Sequence, residues 1–294
     1  MKFNDKYEKI RQLCQEQITQ IEELIISSLD IREDMRLYLI KFLKLPSKHI
    51  RLVLSILYMK LTGLKISDDI LKILAAVELV HNASLIHDDI IDESVVRRGE
   101  KTLSCTFGNK LGVICGDYLL SVAMALLGEL NSPEIIKIFI TTLKNMCIGE
   151  VNQYYDKYKI GTIEEYVEKS KNKTAYLFQT ALVCPFIFAG KSAEEISKAS
   201  DFGLNFGIAF QMRDDILNLI SSDKTKPSKN DITDGIYTAS VIYAQDSVNY
   251  MKGVEKAHCL MNNYIGFAAE IIESFEDNPY KIALKDLLEL VKHE

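Results

Sequence analysis

The sequence predicts an all-α fold, and three observations carry that reading. Only 14 Gly and 5 Pro occur in 294 residues, too few chain-breaking positions for a loop-rich β protein. Leu, Ile, Lys and Glu dominate, and these form helices well or tolerably. Apolar side chains also recur close to the helical period along most of the length. Hydrophobic residues make up 48% of the chain, ample for a large interior, and no linker interrupts the pattern, so residues 1–294 read as one domain.

From Phe3 to Leu29, the positions of Ile10, Leu13, Ile18, Ile21, Leu24 and Ile25 set a helical spacing. Pro46-Ser47 breaks it, and Ser47 is placed to cap a helix that runs through Leu61. Ser67-Asp68-Asp69 is a second start signal and opens a long apolar helix from Ile70 to Asp92, with Gly99 closing the charged stretch after it. Further helices are predicted over Gly112–Glu129, Pro133–Tyr158, Ile163–Ser170, Ala175–Ala189 and Ala193–Ile220, each bounded by Gly, Pro, Ser or Thr. Ser221 to Asp234 holds Pro227 and no periodicity, so it reads as a loop followed by two or three shorter helices.

With 35 basic and 41 acidic side chains, the net charge is −6. No long basic stripe is present, which argues against nucleic acid as the main partner and for a small molecule. Cys14, Cys105, Cys115, Cys147, Cys184 and Cys259 form no CxxC pair and have no His at zinc-type spacing. Without a signal-like start, these thiols point to a reducing, cytoplasmic setting. Leu111 to Leu127 is nearly long and apolar enough to span a membrane, but Asp117 and two glycines lie inside it. A buried core helix is therefore expected, and no transmembrane segment.

One chemical pattern occurs twice. His87-Asp88-Asp89-Ile90-Ile91-Asp92 and Arg213-Asp214-Asp215-Ile216-Leu217-Asn218 each end a strongly apolar helical run. On a helix, i and i+4 share a face, so Asp88 and Asp92 address one point in space. Close carboxylates are costly to bury without cations, and magnesium bridges a few carboxylates to a substrate's phosphates. Either cluster alone also fits a solvated helix cap. Their shared spacing, and the apolar helix before each, favour metal binding.

The surroundings of these acids resemble the trans-prenyl diphosphate synthases, the polyprenyl synthetase family. The matching segments are LVHNASLIHDDIIDESVVRRG (Leu79–Gly99), FGNKLGVICGDYLL (Phe107–Leu120), GEVNQ (Gly149–Gln153), KTAYLF (Lys173–Phe178), FGIAFQMRDDILN (Phe206–Asn218) and KPSKND (Lys226–Asp231), in the family's order. The resemblance implies an isoprenoid-synthase-type helical bundle around a deep central cavity. It also implies head-to-tail condensation of isopentenyl diphosphate with an allylic diphosphate, giving a trans polyprenyl diphosphate.

Residue by residue, the resemblance makes Asp88, Asp89 and Asp92 the first aspartate motif and Asp214 and Asp215 the second. Metal contact falls to Asp88, Asp92 and Asp214, with three Mg2+ ions when substrate is bound. Arg97 matches the arginine on the allylic diphosphate, and Lys173 and Lys226 match its lysines. Thr174 and Gln211 match residues flanking the reacting carbon. Arg98, Lys48, Arg51 and His81 match the isopentenyl diphosphate contacts. The small Ala83 and Ser84, one turn before Asp88, imply a product longer than farnesyl diphosphate, since a bulky side chain there would cap the tail channel.

The pattern departs from the family at four places. Pro46-Ser47 stands where Gly-Gly usually precedes Lys48, and Asn218 replaces the third acid of the second motif. Thr238-Ala239-Ser240 replaces Thr-Leu-Pro, and the part after Ala244 is short and lacks a basic tail. A homodimer is the family norm, and a heteromer fits these departures too. Two rivals therefore stand beside the synthase: a subunit of a two-component synthase, and a terpene cyclase-like lyase.

Overall fold

The computed structural model describes residues 3–220 and 232–293. Among them are fourteen α-helices and one short hairpin, so the all-α expectation holds. The predicted first helix is two: α1 (Phe3–Gln12) and α2 (Gln15–Ser27), separated at Leu13-Cys14. Next come α3 (Glu33–Leu43), which local signals did not pick out, and α4 (Ile50–Leu61), which starts after His49 rather than at Ser47. In α5 (Asp68–Ile91), Ser67 caps as expected, its hydroxyl accepting from the Ile70 amide.

A hairpin of β1 (Val96–Arg97) and β2 (Glu100–Lys101) pairs Arg97 with Glu100. Its turn residues, Arg98 (φ 53°) and Gly99 (φ 82°), are both left-handed, the geometry that lets a two-residue turn follow strand twist. After α6 (Leu103–Phe107) come α7 (Asn109–Gly128), α8 (Pro133–Tyr155) and α9 (Ile163–Ser170). A π-turn, Lys171–Ala175, leads into α10 (Tyr176–Phe188); then follow α11 (Ala193–Ile220), α12 (Ala239–Ala244), α13 (Met251–Glu273) and α14 (Pro279–His293).

One contiguous apolar core runs from Tyr7 to Val291. In α4 nearly every side chain is buried, including Tyr58, which stacks on Phe202 at 4.9 Å. Phe202 and Phe206 of α11 belong to this core, and Phe178 of α10 packs against Phe206 and the partly buried Phe210. Two helices have the length and apolarity to cross a membrane, α5 and α7. α5 is 72% buried within the bundle over its most apolar window, but α7 is only 44% buried there. The expectation of a buried core helix at Leu111–Leu127 is thus half right: one face of α7 packs on α5, while Val113 and Ile114 stand in the open.

Candidate active site

A cavity of about 700 Å³ opens among α4, α5, α7, α8, the π-turn and α11. The segment before α4 and its first turn supply Lys48 and Arg51; α5 supplies His81, Ser84 and Asp88; the hairpin turn supplies Arg98. Glu150 of α8, Lys173 and Thr174 of the π-turn, and Gln211 and Asp214 of α11 add to the polar lining, which also takes in Ser47, His49, Glu78 and His87. The apolar wall is Val80, Leu85, Leu120, Leu143, Met146 and Phe210.

The π-turn aims the basic group. An extra residue in a helix re-registers every side chain after it, and such bulges collect at functional sites. Two glycines make room for it: a Cβ on Gly207 would lie 2.5 Å from Ala175 Cα, and one on Gly149 would lie 3.0 Å from Asn172 Cβ. Lys173 then meets Glu150 at 3.1 Å. Burial alone would lower the Lys173 ammonium, but Glu150 and Asp88 outweigh it and hold the group above the usual lysine range. Gly116 plays a similar part in α7, since a Cβ there would sit 2.2 Å from Nε2 of His87, whose ring meets Asp117 at 3.4 Å. Sequence reasoning did not single out these glycines as site-forming; only the close approach of two helices reveals them.

The acids divide by where they point. Burial pushes the Asp88 carboxyl up to about 6, against the pull of Lys173. Asp214 keeps 47% of its side-chain surface open at the mouth, yet protein crowds it elsewhere, and burial raises it to about 6 against Arg213. Asp89 is instead buried and accepts from Arg97 Nε at 2.7 Å. Asp215 is clamped between the Tyr166 hydroxyl at 2.6 Å and the Gln211 amide at 2.7 Å. Thr174 in turn donates to the Gln211 carbonyl oxygen. Asp92 is the exposed C-cap of α5 and, like Asp89 and Arg97, lies outside the cavity lining. Asp215 lines a smaller adjoining hollow with Lys173, Asp214 and Asn218.

The basic groups gather near Asp214, which feels both Lys48 and Arg51. Arg51 stacks 4.7 Å over the Phe178 ring, and burial lowers it to about 10, so it stays charged at neutral pH. Burial and the neighbouring Arg51 lower His81 to about 3, so its ring is neutral and can donate one hydrogen bond. Two expectations need correction or limits. Ala83 is fully buried in the helix-packing core and does not reach the cavity, because it lies one position round from Ser84, which does. Lys226 lies outside the described residues.

Among the described residues no three His, Cys, Asp or Glu side chains converge to hold a metal unaided. The donor set nonetheless fits magnesium, which takes one or two carboxylates and completes its shell with phosphate oxygens and water. Asp88 and Asp214 are hard oxygen donors on one cavity, and both are raised by burial, as carboxylates lacking a full countercharge are.

Residues 33–265 match the family model described as polyprenyl synthetase. The chain is 31% identical to solanesyl-diphosphate synthase 1, mitochondrial, of Oryza sativa subsp. japonica, over 68% of this chain and 53% of that one. It is 33% identical to decaprenyl-diphosphate synthase of Dictyostelium discoideum, over 69% of this chain and 45% of that one. The matched part thus spans about half the length of these curated relatives. In fold, it is similar to a decaprenyl diphosphate synthase from Rhodobacter capsulatus, with a TM-score of 0.87, 24% identity, and coverage of 97% and 98%. It is equally similar to a polyprenyl synthase from Caulobacter crescentus CB15 complexed with calcium and isoprenyl diphosphate, with a TM-score of 0.87, 24% identity and 98% coverage of both chains.

Proposed function

Because the chain belongs to the polyprenyl synthetase family, we propose that it condenses isopentenyl diphosphate with an allylic diphosphate, head to tail, into a product longer than farnesyl diphosphate. The observation that carries this is one cavity holding Asp88 and Asp214, seven basic or imidazole side chains and an apolar wall. Solanesyl, decaprenyl and hexaprenyl synthases among the relatives support a long product.

Asp88, Asp92 and Asp214 would hold magnesium, three ions with substrate bound, whose chemistry is to stabilise the negative charge that builds on a departing diphosphate. Lys173, kept charged by Glu150, faces the same diphosphate. Thr174, Gln211 and Asp215 form a hydrogen-bonded line that fixes the polar edge beside the reacting carbon. Lys48, Arg51, Arg98 and neutral His81 take the diphosphate of the second substrate. The allylic cation left behind needs a dry site, which Val80, Leu120, Leu143, Met146 and Phe210 supply. The displaced diphosphate accepts the proton lost after carbon–carbon bond formation, so no protein base is needed.

The contiguous core supports the reading of one domain. The open face of α7 and α8, with Val113, Ile114, Ile140, Ile148 and Val151 exposed, supports a homodimer through that face. A dependent subunit of a two-component synthase is the second reading, favoured by Asn218 and by Pro46-Ser47. Purified chain with Mg2+, radiolabelled isopentenyl diphosphate and dimethylallyl, geranyl or farnesyl diphosphate, followed by chromatography, separates the readings. Products beyond farnesyl support the proposal, no incorporation supports the dependent subunit, and a farnesyl endpoint contradicts the long product. Ser84→Phe, which plugs the cavity one turn below Asp88, then shortens the product.

A further inference from the structure

We propose that His49 is a positioning residue for the second substrate's diphosphate: it clasps Glu22 and Glu78 and so fixes the segment that presents Lys48 and Arg51. The proposal rests on the prenyltransferase reading and deepens it. His49 caps α4 in the left-handed region, φ 48° and ψ 39°, which residues with side chains seldom adopt without a compensating reason. It is 9% exposed, and its ring lies between two carboxylates. Nδ1 is 3.0 Å from Glu78 Oε1 and Nε2 is 3.2 Å from Glu22 Oε1. A carboxylate thus faces each ring nitrogen, so the ring is held from both sides.

Glu78 explains why a clasp belongs here. It lines the cavity beside Arg51, His81 and Arg98, where a bare carboxylate would repel an incoming diphosphate. His49 and the Asn82 amide, the latter at 3.4 Å, hold its Oε1. Its Oε2 is buried without a partner among the described residues.

The rest of the segment is tied from behind in the same way. The Tyr7 hydroxyl donates to the Lys48 carbonyl at 2.5 Å, and the His49 amide donates to Ser47 Oγ at 3.3 Å. With Pro46-Ser47 in place of flexible glycines, these ties set where the cations stand before substrate arrives, which is where pre-organisation gains affinity. Glu22 sits on α2 outside the cavity and touches no substrate position, so any effect it has on binding passes through His49.

The test compares full-length His49→Asn, His49→Arg and Glu22→Ala with the unaltered chain. Asn tolerates the left-handed backbone but is too short to bridge both carboxylates, so it separates backbone from clasp. His49→Asn should raise KM for isopentenyl diphosphate about tenfold, the scale of one lost charge-assisted hydrogen bond. Glu22→Ala should raise it about threefold, since that carboxylate is partly exposed. His49→Arg should restore it, and KM for the allylic diphosphate should stay put in all three. The Kd for isopentenyl diphosphate, measured by calorimetry, should move in parallel with KM. An unchanged KM and Kd in His49→Asn, or an equal rise for both substrates with a lowered Tm, overturns the proposal. Should the unaltered chain show no turnover, the reading of an enzyme active by itself falls and calorimetry decides the clasp alone. Equal Kd in the unaltered chain and His49→Asn, or no binding by either, then overturns it.

Discussion

At the end of α5, Asp88 faces the cavity while Asp89 turns away and accepts from Arg97; within α11, Asp214 faces the same cavity while Asp215 turns away to Tyr166 and Gln211. The plan is shared: the first acid of each pair is open to the cavity and the second is held by neighbouring side chains. The clamps differ. A charged hairpin arginine, 26% exposed, holds Asp89, while uncharged groups from two helices hold Asp215. The last acid differs too, since the first motif ends on Asp92 and the second on Asn218. Adjacent aspartates in one motif therefore stand in different surroundings, and exchanging them one at a time tests whether their roles differ.

The largest effect should come from the offered acids. Asp88→Asn and Asp214→Asn each remove one preorganised group from the centre of charge development, and kcat should fall about 10²–10³-fold with little change in Tm. Equal losses from Asp89→Asn would erase the distinction between offered and clamped acids. Asp89→Asn should instead destabilise the fold by about 1–3 kcal/mol, seen in denaturant unfolding, because Arg97 loses a buried charged partner. Tyr166→Phe should cost less, about 1 kcal/mol, since the Gln211 amide still holds Asp215; a larger loss than Asp89→Asn would reverse the ranking of the two clamps. The smallest effect is expected from Asn218→Asp, which adds a carboxylate to the hollow beside Asp214 and Asp215. The Mg2+ concentration for half-maximal rate should drop by about threefold, on the scale of one partly exposed charge contact.

Much of the architecture was legible in the chain. The Ser67 cap, the Gly99 turn and the bounds of α9 and α11 follow from local signals that tertiary packing did not override. The two acidic motifs were legible for a similar reason, because carboxylates ending an apolar helix conflict with local preference and so mark a site. The missed features are those fixed by contact at a distance. Nothing near Leu13-Cys14 announces a break, since no Gly or Pro stands there. The π-turn depends on Gly207 and Gly149 meeting it from other helices. That Ser84 reaches the cavity and Ala83 does not is a matter of helix rotation, finer than sequence spacing resolves. His49 between two carboxylates needs residues from three helices brought together.

The central claim is that Asp88 and Asp214, far apart in the chain, act on a single diphosphate through shared cations. A double-mutant cycle on pyrophosphate binding tests it directly, with calorimetry on the unaltered chain, Asp88→Asn, Asp214→Asn and the double variant, with and without Mg2+. The account predicts binding that requires Mg2+ and single losses each nearly as large as the double loss. Strictly additive losses, or binding indifferent to Mg2+, would contradict it.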